Sequence, residues 1–167
     1  MGTGYDNIKA ATRRVQRPQE WANDKEKGFY VEYLTELSSA SVAYFIVSVP
    51  TVGVSKIPHG KFQIESEAAL SIELYEDCTV STSTAIGSIN IDRNSANTAS
   101  TTFGYASTVT LGTKIWTAEA GGAYAIGSEE DSTDFKLKQG STYVLQVTSK
   151  AAGNTIVMSY TFHEHDE

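Results

Sequence analysis

The sequence contains three histidines, the side chains best suited to proton transfer near neutral pH and to binding transition metals. His163 and His165 flank Glu164 near the C-terminus. Because residues two apart on a strand point to the same face, their imidazoles could share a metal ion. No third ligand stands nearby in the sequence, and a solvated C-terminal tail is the favoured interpretation. His59 stands between a proline and a glycine and is interpreted as a loop residue. We therefore expect no metal and no cofactor.

The acidic residues and the possible nucleophiles give no stronger indication of a metal-binding or catalytic site than the histidines do. One acidic stretch could supply oxygen ligands to Ca²⁺, but it lacks the regular spacing and the turn glycine of an EF-hand loop, so repulsive surface charge is favoured. Its members are Glu129, Glu130, Asp131 and Asp134. The sequence has no G-x-S-x-G, no glycine-rich phosphate loop between a strand and a helix, and no identifiable carboxylate pair for glycoside hydrolysis. We predict a protein without catalytic residues, which is not an enzyme.

The length and the charge of the chain further restrict the class of protein that it can be. The 167 residues suffice for one domain with one continuous core. The net charge of −7 opposes sequence-independent binding to a nucleic-acid backbone, and no apolar run is long enough to span a membrane. Without a signal-peptide pattern, synthesis in a cytoplasm is expected. Cys78 is the single cysteine and is interpreted as a small structural residue.

Residues 1–27 differ from the rest of the chain and are predicted to form an extended N-terminal arm. They hold six basic and four acidic residues, whereas residues 28–167 hold seven basic and sixteen acidic ones. Two interpretations stay open: a frayed tail, or a segment that orders on a partner surface. Arginine and tryptophan are enriched at interface hot spots, and the arm carries Arg13, Arg14, Arg17 and Trp21.

From residue 28 onward, the hydrophobic pattern has the period of two that is typical of strands. Residues 42–49 are apolar on both faces and predict a central strand. Further alternation predicts strands in 61–67 and 69–77, with a turn between them, and in 86–91. It also predicts two C-terminal strands that pair with each other through a turn at Gly153 and Asn154. Residues 108–120 suggest a hairpin around Gly112, and 93–105 have the composition of a loop.

These segments amount to about eight strands without a convincing helix. The predicted fold is therefore all-β: an antiparallel two-sheet β-sandwich over residues 28–167, either jelly-roll-like or a related Greek-key arrangement. The order of the strands cannot be derived from the sequence.

Several ordered motifs resemble a family of tailed-phage proteins found with capsid genes. They are SIELYEDCTVS, GSINIDRNSANT and TLGT within residues 71–113, DFKLKQGSTYVLQVTS at 134–149, and GNTIVMSYTFHEHDE at 153–167. The resemblance covers roughly residues 60–167. The chain departs from the family pattern in its F-H-E-H ending and in its longer basic arm, which bears on how it would attach.

The resemblance implies a capsid decoration (cement) protein with a jelly-roll-like fold, located on the outer surface of the virion. Its expected partners are the major capsid protein and itself, as a homodimer or homotrimer, with neither nucleic acid nor membrane. Arg13, Arg14, Arg17 and Trp21 are the candidate capsid contacts. Many weak contacts on a repetitive lattice would add up through avidity.

A carbohydrate-binding β-sandwich module is the alternative. Trp116, Tyr105 and Tyr124 could form an open platform for sugar rings, although aromatic residues are more often buried in a core or an interface.

Overall fold

The computed structural model describes residues 28–51, 56–120 and 135–165. These residues form eleven β-strands and no helix, so none that could cross a membrane. The strands are β1 (Gly28–Leu37), β2 (Val42–Ser48), β3 (Ile57–Ser66), β4 (Leu70–Glu76), β5 (Thr84–Ile86), β6 (Ile89–Asn90), β7 (Thr102–Ala106), β8 (Thr113–Ala120), β9 (Phe135–Lys136), β10 (Thr142–Ser149) and β11 (Asn154–His165).

The strands form two antiparallel sheets that pack face to face. Sheet 1 has the order β6-β1-β11-β3-β9, and sheet 2 has the order β5-β7-β2-β10-β4-β8. The predicted all-β sandwich is confirmed. The arm and residues 121–134, which include the acidic stretch and Tyr124, lie outside the described residues.

The pairing of eight of these strands is that of a jelly roll. The run β1 to β4 pairs with the run β8 to β11 in reverse order: β1 with β11, β2 with β10, β3 with β9, and β4 with β8. This double ribbon closes on itself because β11 also pairs with β3, and β10 with β4. The segment between β4 and β8 adds β6 to the edge of sheet 1 and β5 and β7 to the edge of sheet 2.

The core lies between the inner faces of the sheets and follows the alternation of the sequence. On β11 every second residue is buried: Ile156, Met158, Tyr160 and Phe162. Opposite them, β10 contributes Tyr143, Leu145 and Val147, and β4 contributes Leu70, Ile72 and Leu74. Removing this apolar surface from water is the main stabilising term of the fold.

A second, smaller cluster covers the outer face of sheet 2. Ile46, Val144 and Cys78 are buried there, and Val109 and Leu111 pack over them from the chain between β7 and β8. This cover explains why residues 42–49 are apolar on both faces. The predicted hairpin around Gly112 is wrong, because the chain before Gly112 lies over the outer face of sheet 2 and is not a strand. Thr110 makes one isolated bridge with Thr79, and only the chain after Gly112 forms a strand, β8.

Three further expectations are corrected by the topology. The predicted strand at 86–91 is two short strands, β5 and β6, which lie in different sheets. The predicted loop at 93–105 contains most of β7, whose Phe103 is buried in the core. The two C-terminal strands do not pair with each other, because β10 belongs to sheet 2 and β11 to sheet 1. The turn between them does have Gly153 at φ 62°, while Asn154 begins β11.

The open sides of the sandwich are each closed by an aromatic pair. On one side, Tyr33 of β1 stacks on Tyr105 of β7, with ring centroids 4.6 Å apart and planes 11° from parallel. On the other side, Trp116 of β8 meets Phe135 of β9 edge to face, with centroids 6.4 Å apart. Such pairs tie the two sheets together where no hydrogen-bonded strand can.

Gly60 is needed where β3 passes β11. A Cβ at this position would stand 2.2 Å from the carbonyl oxygen of Thr161 and 2.6 Å from Cβ of Phe162. We expect Gly60→Ala to lower the free energy of unfolding by about 3 kcal/mol, because β11 and its core side chains must shift. Gly87→Ala is the matched control, since no atom lies within 4 Å of the added carbon. Equal stability of the two variants in urea denaturation would contradict this packing.

The burial of Tyr143 predicts that the fold loses stability at alkaline pH. Burial raises its pKa from 10.0 to about 12, although its hydroxyl also accepts a hydrogen bond from the backbone N–H of Lys138 at 2.8 Å. Because the pKa of Tyr143 is higher in the folded than in the unfolded chain, the neutral phenol contributes to the free energy of unfolding. This contribution is complete below pH 10 and is lost as the pH rises towards 12. We expect the stability difference between the wild type and Tyr143→Phe to shrink across this window in denaturation curves. Parallel pH profiles would contradict the burial of the phenol.

Candidate functional site

A pocket that combines aromatic and hydroxyl side chains lies on the Tyr33–Tyr105 side of the sandwich. Its volume is about 390 Å³, and strands β1, β2, β5 and β7 supply most of its walls. The two tyrosines form its aromatic part. Hydroxyl groups surround them, from Thr35, Thr82, Ser83, Thr84 and Ser107. None of the residues that line it is charged.

The local sequence explains how the two tyrosines meet. Tyr33 stands opposite Met158 in the β1–β11 pair, and Tyr105 stands opposite Phe45 in the β2–β7 pair. Both partners are buried core residues, and side chains that stand opposite each other point to the same face of a sheet. The two rings therefore project inwards from facing sheets at the edge of the core, where they remain partly accessible.

The aromatic platform predicted from the sequence is not assembled. Trp116 and Tyr105 lie on β8 and β7, which are four strand spacings apart in sheet 2, or about 19 Å. Trp116 packs against the core, and Tyr124 lies outside the described residues. The aromatic partner of Tyr105 is instead Tyr33 of β1, in the other sheet. Only the strand order, which the sequence does not reveal, brings the two together.

Glu164 is a buried carboxylate at the end of β11, only 2% exposed. The backbone N–H of Ser100 donates to both of its oxygens, at 2.9 and 3.1 Å, and the N–H of Thr101 donates to Oε1 at 2.8 Å. Burying a charge is costly unless hydrogen bonds replace its water shell. The carboxylate thus fastens the loop before β7 to the end of sheet 1. The predicted solvated tail is wrong, because residues 163 and 164 are buried strand residues.

The histidines are placed by the same strand. His59 lies in β3 and not in a loop, directly opposite His163 of β11. The two rings meet edge to face with centroids 5.2 Å apart. The side chain of His165 lies outside what the structure describes. Within the described ranges, no three His, Cys, Asp or Glu side chains are grouped so that they could hold a metal ion.

A polar cluster lies on the outer face of sheet 2 around Glu73. Its Oε1 accepts a hydrogen bond from Nζ of Lys114 at 2.7 Å, and its Oε2 accepts from Tyr75 and Gln146, each at 3.0 Å. The bond from Lys114 is the main cause that lowers the pKa of Glu73. With three donors already directed at it, this carboxylate acts as a fixed acceptor rather than as a base.

Cys78 is buried and free, as the sequence indicated for a structural residue. Its Sγ accepts a hydrogen bond from the backbone N–H of Gly112 at 3.4 Å. Burial is the main cause that raises the pKa of the thiol, which disfavours the reactive thiolate.

The candidate capsid contacts Arg13, Arg14, Arg17 and Trp21 lie outside the described residues, so they stay a prediction. No family model matches the chain, and no curated protein matches it.

The Glu164 contact can be tested by removing its charge while keeping its shape. We expect Glu164→Gln to lower the free energy of unfolding by about 2 kcal/mol, because the amide nitrogen would face backbone N–H groups. Glu65→Gln, on an exposed position of β3, is the matched control. Chemical denaturation checks both variants. A loss no larger than that of the control would show that the buried carboxylate does not fasten the loop.

Proposed function

We propose that this chain is a capsid decoration protein, a non-enzymatic structural protein that binds the outer surface of a tailed-phage capsid and stabilises the head. The observation that carries the proposal is the location of the phage-like motifs. They are widely separated in sequence, yet the motif strands β4 and β10 pair in sheet 2, and the motif strand β11 is the middle strand of sheet 1. Three of the five motifs thus supply neighbouring or central strands of one jelly roll, whereas GSINIDRNSANT and TLGT lie mostly at the surface.

The division of charge supports a mode of attachment. The sandwich side of the chain, residues 28–167, carries sixteen acidic and seven basic residues, whereas residues 1–27 carry four acidic and six basic ones. A basic segment is attracted to acidic surfaces that repel the sandwich. In this proposal Arg13, Arg14, Arg17 and Trp21 contact the major capsid protein, and the acidic sandwich faces solvent.

The proposed mechanism is mechanical and additive. Each subunit makes a small contact, but self-association as a dimer or trimer links several contacts into one binding event with a high effective concentration. An arm that orders on the shell would bridge neighbouring capsid subunits. Outward pressure from packaged DNA would then have to break arm contacts in addition to shell contacts.

The attachment is tested by co-sedimentation with capsids that lack the protein. We expect the triple variant Arg13→Ala, Arg14→Ala, Arg17→Ala to reduce capsid occupancy at least about tenfold at subsaturating concentration, since each lost interfacial charge pair weakens binding. The control removes the same charge from the sandwich by Lys56→Ala, Lys61→Ala and Lys136→Ala, and should bind as the wild type does.

Two outcomes would count against the proposal in different ways. Absence of saturable binding by the wild type would overturn the decoration function itself. Wild-type binding that the triple arginine variant retains in full would leave that function standing and overturn the role of the arm.

A further inference from the structure

The pocket beside Tyr33 and Tyr105 has a chemistry that the decoration function does not use. It combines the surfaces of two aromatic rings with five hydroxyl groups, and none of its lining residues carries a charge. Serine and threonine hydroxyls each donate one hydrogen bond and accept others, so they suit a ligand that does the same. Tyrosine rings suit a ligand that also presents an apolar face.

We propose that this pocket binds a neutral saccharide of one or two rings. Sugar rings present C–H groups on their faces, which pack on aromatic rings, and hydroxyl groups at their edges, which pair with Ser83, Thr84 and Ser107. The volume of about 390 Å³ lies in the lower part of the range found for small-molecule sites. This inference does not depend on attachment to a capsid.

The charges of the protein disfavour the binding of acidic saccharides in this pocket. The pocket contains no cationic side chain that could pair with a carboxylate or sulfate group. Residues 28–167 hold sixteen acidic against seven basic residues, and this net negative charge repels anionic ligands. Sialylated and uronic saccharides should therefore bind more weakly than neutral ones.

The pocket is also preorganised. Tyr105 is held in register with Phe45 of β2 on one side and with Thr84 of β5 on the other, and Tyr33 is held opposite Met158 of β11. Packing of the two tyrosine rings on each other leaves them few alternative positions. A ligand that enters such a site does not have to order its walls, which favours affinity.

The experiment is saturation-transfer NMR of the full-length protein with lactose, cellobiose and maltose as neutral probes and sialyllactose as the acidic probe. We expect transfer to at least one neutral disaccharide, and at least about tenfold weaker binding in Tyr105→Ala, which removes half of the aromatic surface. Ser107→Trp, at an exposed position on the rim, should block the pocket without touching the core. Tyr30→Ala, on the outer face of β1, is the aromatic control and should bind as the wild type does.

Each result decides one part of the proposal. No transfer to any neutral probe overturns it. Binding that survives both Tyr105→Ala and Ser107→Trp would place the saccharide elsewhere and overturn the site. Equal binding of lactose and sialyllactose would overturn the preference for neutral ligands. Because no capsid is present, none of these outcomes bears on the decoration function.

Discussion

The rest of the structure depends on the complete burial of the inner face of β11. This strand pairs along most of its length with both β1 and β3, and its inward side chains form a continuous row from Ile156 to Glu164. Four members of the row are apolar and need only packing. The last is a carboxylate, and its burial requires donors, which the backbone at Ser100 and Thr101 supplies. The loop before β7 is therefore fastened to sheet 1 by a charge in the core, in addition to the hydrogen bonds that its own Asn90, Asp92 and Ser95 side chains make with its backbone.

This constraint links the fold to both proposals. With β11 fixed, β1 holds Tyr33 at one open side of the sandwich, and the loop fastened by Glu164 leads into β7, which holds Tyr105. The aromatic part of the pocket thus lies on strands, and Thr82, Ser83 and Ser107 line it from the adjoining loops. β1 begins at Gly28, paired with His163, so residues 1–27 join the sandwich at the end of sheet 1 that carries the buried carboxylate.

The sequence was informative where burial follows a simple period. Phe29 and Val31 on β1, Leu70 to Leu74 on β4 and Tyr143 to Val147 on β10 are buried as their alternation predicts. It failed where tertiary contacts override composition. Phe103 belongs to the core although its neighbours are threonine and glycine, and Glu164 is buried although a charged C-terminal residue is ordinarily solvated. The Tyr33–Tyr105 pocket could not be derived, because it depends on which strands face each other across the two sheets.

The most direct test of the decoration function is a cryo-electron microscopy reconstruction of capsids that lack the protein, after addition of the full-length chain. We expect sandwich density outside the shell at its local symmetry axes, with the chain that precedes Gly28 lying on the capsid surface and Arg13, Arg14 and Arg17 against acidic groups. Sandwich density whose N-terminal chain contacts only sister subunits would contradict the proposed attachment, and a bare shell would contradict the function.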